Sequence, residues 1–315
     1  MNSNMNRRGN YDIQLSRKQE NIYNNLKVQI DKAFSTNKRQ MREGNNRYIN
    51  SCYAFAKHLA KHYGSQTFRN IEGKHIQSFI DERDKHGIQL DTILSDVSSI
   101  RKLHHLTGGR RFIPPNEKLL FPEPQSDTEE KIDRAWTEEE YNKALQIARN
   151  LGRYDVINSF KLARHFGVRL NEATAMTKTR LREALKDGYL HVTHTKNNVE
   201  RDIQIENPYQ KQALREIIDN TRNESLFIDH KTTHEQAKKS IQNWIYNHRN
   251  KFQDQNVKIN EDRYKKKCTF HGIRHTYARE NYNNNIKNGG TEREARLDTS
   301  HKLGHGRDAV TKIYL

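Results

Sequence analysis

Five short stretches carry side chains suited to work on a phosphodiester: GVRLNEA (167–173), HTK (194–196), FHGIRHTYA (270–278), LGHG (303–306) and TKIY (311–314). A phosphate under attack gathers negative charge on its non-bridging oxygens. A guanidinium meets those oxygens with a planar fork of donors and stays charged throughout, and Arg169 and Arg274 suit that task. The leaving 5′ oxygen needs a proton, which Lys196 can deliver. A phenol of pKa about 10 needs a positive field or a base to attack. Histidines at 271, 275 and 305 can serve either step.

Each group also has a plain structural role open to it. Arg169 can pair with Glu172, an orienting partner rather than a proton carrier, and His271 can be a core histidine bonded to a carbonyl. His275 suits a supporting position behind the reacting groups. His301, one helical turn before His305, can substitute for it. Lys178 or Arg201 lies within reach of the place assigned to Lys196, and Tyr314 can be a terminal aromatic packed on a core.

The rest of the chain must bring these stretches together. Its 315 residues allow about two domains, with modest cores because only 33% of the residues are hydrophobic. Fifty-six Lys and Arg against 39 Asp and Glu give a formal charge of +17, which points to a polyanionic partner such as nucleic acid. The two cysteines, Cys52 and Cys268, have no metal-ligand spacing and argue against a disulfide framework or a structural zinc between them. No apolar run approaches the roughly 18 residues of a membrane span, and the N-terminus lacks the apolar core of a signal peptide. The expectation is a protein of the reducing cytoplasm with no membrane partner.

Four of the five prolines fall at 114, 115, 122 and 124, where fixed φ and missing amides interrupt regular structure. A linker is therefore expected at 114–131. Before it, residues 1–40 form a basic polar segment with a helix on Ile22, Leu26, Ile30 and Phe34, and 41–113 form a helical domain. Its first helix places Tyr48, Cys52, Phe55, Leu59 and Tyr63 on one face, with Lys57, His58 and Lys61 elsewhere; two more carry Ile76, Phe79 and Ile80, then Ile93, Val97, Ile100 and Leu103. The second domain, 132–315, opens with a capping box at Thr137 and Glu140. Two helical pieces break near Gly167, and alternation in GYLHVTHTK and RDIQI around Asn197 and Asn198 predicts a hairpin with Lys196 near its tip. Four further helices follow. The class is mainly α with an α+β second domain.

In this order and at these separations the motifs resemble those of the tyrosine recombinases, the family of phage and mobile-element integrases and chromosome-dimer resolvases. That family carries an arginine with an acidic residue three positions on, a hairpin lysine, a His-x-x-Arg-His segment, a Leu-Gly-His segment and a tyrosine nine residues beyond that histidine. The corresponding positions are Arg169, Glu172, Lys196, His271, Arg274, His275, His305 and Tyr314. The resemblance implies a SAM-like helical core-binding bundle and a catalytic domain with a small antiparallel sheet, clamped on double-stranded DNA.

It also implies a reaction. Tyr314 would attack a scissile phosphate to give a 3′-phosphotyrosyl link, and exchange would pass through a Holliday junction in a tetramer on specific recombination sites, with integration or excision of a mobile element as the outcome. Bond energy is conserved, so no cofactor and no metal are expected. An accessory directionality factor and association with the nucleoid belong to the same expectation. Two alternatives share some of these residues: a type IB-like topoisomerase, and a DNA-binding regulator with a relic active site.

Overall fold

The computed structural model describes residues 13–35, 45–123, 133–193, 200–227, 232–254 and 268–304. Lys196, Asn197, Asn198, His305 and Tyr314 lie outside the described residues. The chain divides into two compact units, Met1–Glu130 and Lys131–Leu315.

The first unit packs α1 (Arg17–Ser35), α2 (Asn45–His62), α3 (Gly73–Lys85) and α4 (Leu90–Leu106) around one apolar core. Leu26, Ile30 and Phe34 of α1 meet Cys52, Phe55 and Leu59 of α2, with Phe79 from α3 and Ile93, Val97 and Ile100 from α4. Each fully buried side chain of this kind contributes about 1.5–3 kcal/mol against the entropy of ordering. Two details differ from the helical-wheel expectation. Tyr48 and Tyr63 are each 39% exposed, because one sits in the first turn of α2 and the other one residue past its end. His58, which the helical wheel places off that apolar face, is 1% exposed and its Nδ1 is hydrogen-bonded to Glu82 of α3. Across the same core Asp96 accepts from Arg83 Nε (3.0 Å) and Ser51 Oγ (2.6 Å), so a buried charge is both paired and hydrogen-bonded. The start of the proline-rich stretch is docked here: Arg101 donates to the Pro114 carbonyl (2.7 Å), and Leu119 is buried in the core.

The second unit runs α5 (Glu138–Asn150), α6 (Tyr154–Phe166), α7 (Leu170–Thr174), α8 (Lys178–Asp187), β1 (Tyr189–Val192), β2 (Arg201–Gln204), α9 (Pro208–Asp219), α10 (His234–Phe252), α11 (Phe270–Lys287) and α12 (Glu292–Lys302). The capping box forms as the sequence predicts: Glu140 N–H donates to Thr137 Oγ1 (3.1 Å) and Thr137 N–H to Glu140 Oε2 (2.8 Å). The two strands pair antiparallel with Leu190 opposite Ile203 and Val192 opposite Arg201. Trp136, Phe160, Trp244 and Phe252 form an aromatic centre to the core, with Trp136 edge-on to Phe160 at 5.3 Å. A bridge between Thr177 and Ser225, not anticipated from the sequence, ties the start of α8 to the segment after α9. Among the described residues no helix is long and apolar enough to cross a membrane.

The extended segment before α5 is strapped across α11. Trp136 N–H donates to Thr276 Oγ1 (2.9 Å), and its indole N–H donates to the Thr269 carbonyl (2.9 Å). Only a residue without a side chain allows this approach, since a Cβ on Gly272 would stand 2.5 Å from the Arg134 carbonyl oxygen and 2.7 Å from Trp136 Cδ1. Gly272→Ala should therefore destabilise the protein by roughly 1–3 kcal/mol. The check is a lowered denaturation midpoint with unchanged slope; wild-type stability would contradict this contact.

Candidate active site

Glu172 is the centre of the site. It lies in α7 with no exposed side-chain surface and accepts hydrogen bonds from two arginines. Gly167 ends α6 in the left-handed conformation (φ +60°), which turns the chain so that Arg169 precedes α7 as its N-cap. The backbone N–H of Arg169 donates to Glu172 Oε2 (2.8 Å), and its Nη1 donates to Oε1 (2.7 Å). Arg201, from β2, closes a two-pronged pair on the same carboxylate at 3.1 and 2.8 Å. Arg274 Nη1, from α11, stands 3.9 Å from Glu172 Oε2. Burial alone would raise the Glu172 pKa, but the hydrogen bonds and charge of Arg201, then Arg169, win and bring it down to about 2.

Two of these arginines also hold the end of α12. Arg201 Nε donates to the Lys302 carbonyl (2.9 Å), and Arg274 Nη2 donates to the Leu303 carbonyl (2.5 Å). Helix C-terminal carbonyls lack intrahelical partners, so guanidiniums are well matched to them. Arg274 Nη1 bonds the Gly167 carbonyl as well, joining the turn before Arg169 to the end of α12. His305 follows this anchored end by two residues in sequence. Lys302 is itself fixed to Glu206 (2.6 Å) and Asn281 (3.0 Å), which leaves its carbonyl fixed in place for Arg201.

Arg169 keeps 24% of its side chain exposed, whereas Arg201 keeps 6% and Arg274 none. His271 is exposed at the start of α11, one turn before the buried His275, with ring centroids 4.9 Å apart. Partial desolvation and the charges of Arg274, Arg169 and Arg134 lower the His271 pKa to about 4. Burial, then the neighbouring His271 and Arg134, lower that of His275 to about 3. Both rings are therefore neutral at physiological pH.

The structure thus gathers Arg169, Glu172, Arg274, His271 and His275, as the sequence motifs imply. Lys178 begins α8, with its backbone N–H bonded to the Glu224 carbonyl (2.8 Å). The sequence offers Arg201 only as a substitute for Lys196; its place is instead against Glu172. The signal was present: in the alternation of β2 an arginine occupies the inward register shared by Ile203, and an inward charge requires a buried partner. Arg134 was also missed, because only the strap across α11 brings it near the histidines.

Residues 134–315 match the phage integrase family, and the chain belongs to that family. Among curated proteins none matches the sequence. Three solved structures share the fold over most of the chain. A lambda integrase (75–356) dimer bound to a COC′ core site aligns with TM-score 0.61 and 16% identity, covering 91% of this chain and 94% of that one. The Tn1549 transposon integrase in complex with transposon right end DNA gives 0.56 and 14%, covering 90% and 94%. A lambda integrase tetramer bound to a Holliday junction gives 0.59 and 16%, covering 91% and 76%.

The low Glu172 pKa has a consequence for stability. A carboxylate whose folded pKa is depressed contributes stability above its unfolded value and loses it as pH falls toward the folded one. The window here runs from about pH 5 down to about 2. Denaturation of the wild type and Glu172→Gln across that range should show a gap that is widest above pH 5 and closes toward pH 2. A pH-independent gap would contradict an ionised, arginine-held Glu172.

Proposed function

We propose that the protein is a site-specific DNA recombinase that cuts and rejoins double-stranded DNA through Tyr314. The phenolate attacks the scissile phosphorus as the bond to the 5′ oxygen breaks, and the product is a 3′-phosphotyrosyl link. Arg169 and Arg274 hold the non-bridging oxygens, His271 and His305 add hydrogen bonds, and Lys196 gives the departing 5′ oxygen its proton. A 5′ hydroxyl from a partner duplex then attacks the link and returns the electron pair to Tyr314. Glu172 and His275 act as positioning residues. The observation that carries this reading is the group of arginines assembled on one buried carboxylate beside His271, in a chain of the phage integrase family.

Two features of the geometry refine the proposal. His271 is neutral, so it serves as a hydrogen-bond donor to a phosphate oxygen rather than as a fixed cation. Arg274 is fully covered, with Nη1 on the Gly167 carbonyl and Nη2 on the Leu303 carbonyl at the end of α12, so on this reading its remaining N–H donors reach a phosphate only after local movement at that end uncovers the side chain. DNA binding is then coupled to movement of the segment that leads to His305 and Tyr314. The partners on this reading are duplex DNA carrying recombination sites and further copies of this chain, acting as a tetramer through a Holliday junction. The integration or excision of a mobile element and an accessory directionality factor follow from the family reading.

The direct test is to express the wild type and Tyr314→Phe in cells, lyse them in strong detergent, and sequence protein-linked DNA. Adducts from the wild type alone, at a recurring sequence, are expected. Scattered adducts with relaxation of supercoils would favour a topoisomerase, and no adduct even on nicked trapping substrates would favour a non-cleaving regulator. A substrate with a 5′-bridging thiol, which leaves without a proton, should restore cleavage to Lys196→Ala but not to Arg169→Ala. The Arg169→Ala loss should be about 10²–10³ in rate. Failure of the thiol to rescue Lys196→Ala would remove Lys196 from the acid role.

A further inference from the structure

We infer that His58, His62 and Glu82 form a binding site for a divalent transition metal of the zinc class, within the first unit and independent of the recombinase reading. His58 and His62 are separated by four positions on α2, which stacks their side chains on one face, and Glu82 reaches them from the last turn of α3. One ligand atom from each residue lies within 4.8 Å of the others, and among the described residues this is the one such group of three.

The donor geometry is close to what a tetrahedral ion needs. Metal–ligand bonds of about 2.0–2.1 Å place neighbouring donors about 3.3 Å apart, and His62 Nε2 stands 3.4 Å from Glu82 Oε2. His58 Nδ1 is hydrogen-bonded to the same oxygen; a metal replaces that proton, and a small rotation of the carboxylate opens the gap. The His58 ring is held in place, 1% exposed, stacked on Phe55 and edge-on to Phe79. A fixed ligand of this kind lowers the ordering cost of binding.

Electrostatics and access agree. His62 is the last residue of α2, and Glu82 belongs to the closing turn of α3, so the negative ends of both helix dipoles lie near the site and favour a cation. His62 is 40% exposed, which provides an entry side and room for water in a fourth position. Two imidazoles and one carboxylate suit zinc better than magnesium or calcium, which prefer oxygen donors alone. A bound ion would clamp α2 to α3.

The test uses the full chain stripped of metal. Zinc is titrated against a chromophoric chelator, cobalt(II) is added to read coordination from its visible spectrum, and thermal unfolding is followed with and without zinc. One equivalent of zinc, a tetrahedral cobalt spectrum and a raised unfolding temperature are expected, since an ion that binds only the folded state stabilises it. His62→Ala and Glu82→Gln should each weaken binding by about tenfold or more and remove the thermal shift. His62 is partly exposed, so an unchanged metal-free transition will show that its variant is folded. Absence of a one-equivalent site, or equal affinity in wild type and both variants, would overturn the proposal and leave a simple His–Glu hydrogen bond.

Discussion

The second domain depends on the ionised carboxylate of Glu172. It is fully buried, and a lone buried charge of this kind costs several kcal/mol. Arg169 and Arg201 offset that cost with direct hydrogen bonds, and Arg274 adds its charge at 3.9 Å. Three guanidiniums around one carboxylate leave a surplus of positive charge. That surplus is built into the fold, with Arg169 its solvent-facing member and Arg274 covered. The same field helps to hold His271 in its neutral form.

The arginines couple distant parts of the chain because each has more donors than Glu172 can use. Arg201 spans from β2 to the Lys302 carbonyl, while Arg274 spans from α11 to Gly167 and Leu303. The turn before Arg169, the hairpin and the end of α12 are thereby tied to one point. Tyr277 reinforces the arrangement by packing on Gly167, where a Cβ would lie 2.3 Å from its ring. A shift at the end of α12 is therefore felt at Arg274, and through it at the turn before Arg169.

Helical periodicity and turn residues make much of this architecture legible in the sequence. The apolar face of α2 from Cys52 to Leu59, the Thr137 capping box, the break at Gly167 and an antiparallel pair of strands burying Leu190, Val192 and Ile203 all follow from local pattern. Arg169, Glu172 and Arg274 could be selected because their spacing belongs to a recognisable order of motifs. Arg201 and His58 could not be placed in the same way. Each is a buried polar side chain whose partner is a carboxylate well removed in sequence, Glu172 for one and Glu82 for the other. The strap of Trp136 over α11 was hidden for the same reason, being specified by contacts about 140 positions apart.

The account rests on Glu172 organising the arginines rather than merely filling a buried space. The most direct measurement is the single-turnover rate of covalent adduct formation by Glu172→Gln on a nicked DNA substrate, with DNA affinity measured alongside. The substitution keeps the shape but removes the charge, so the account predicts a rate reduced by roughly 10² or more with affinity nearly unchanged. A wild-type rate from Glu172→Gln would contradict it.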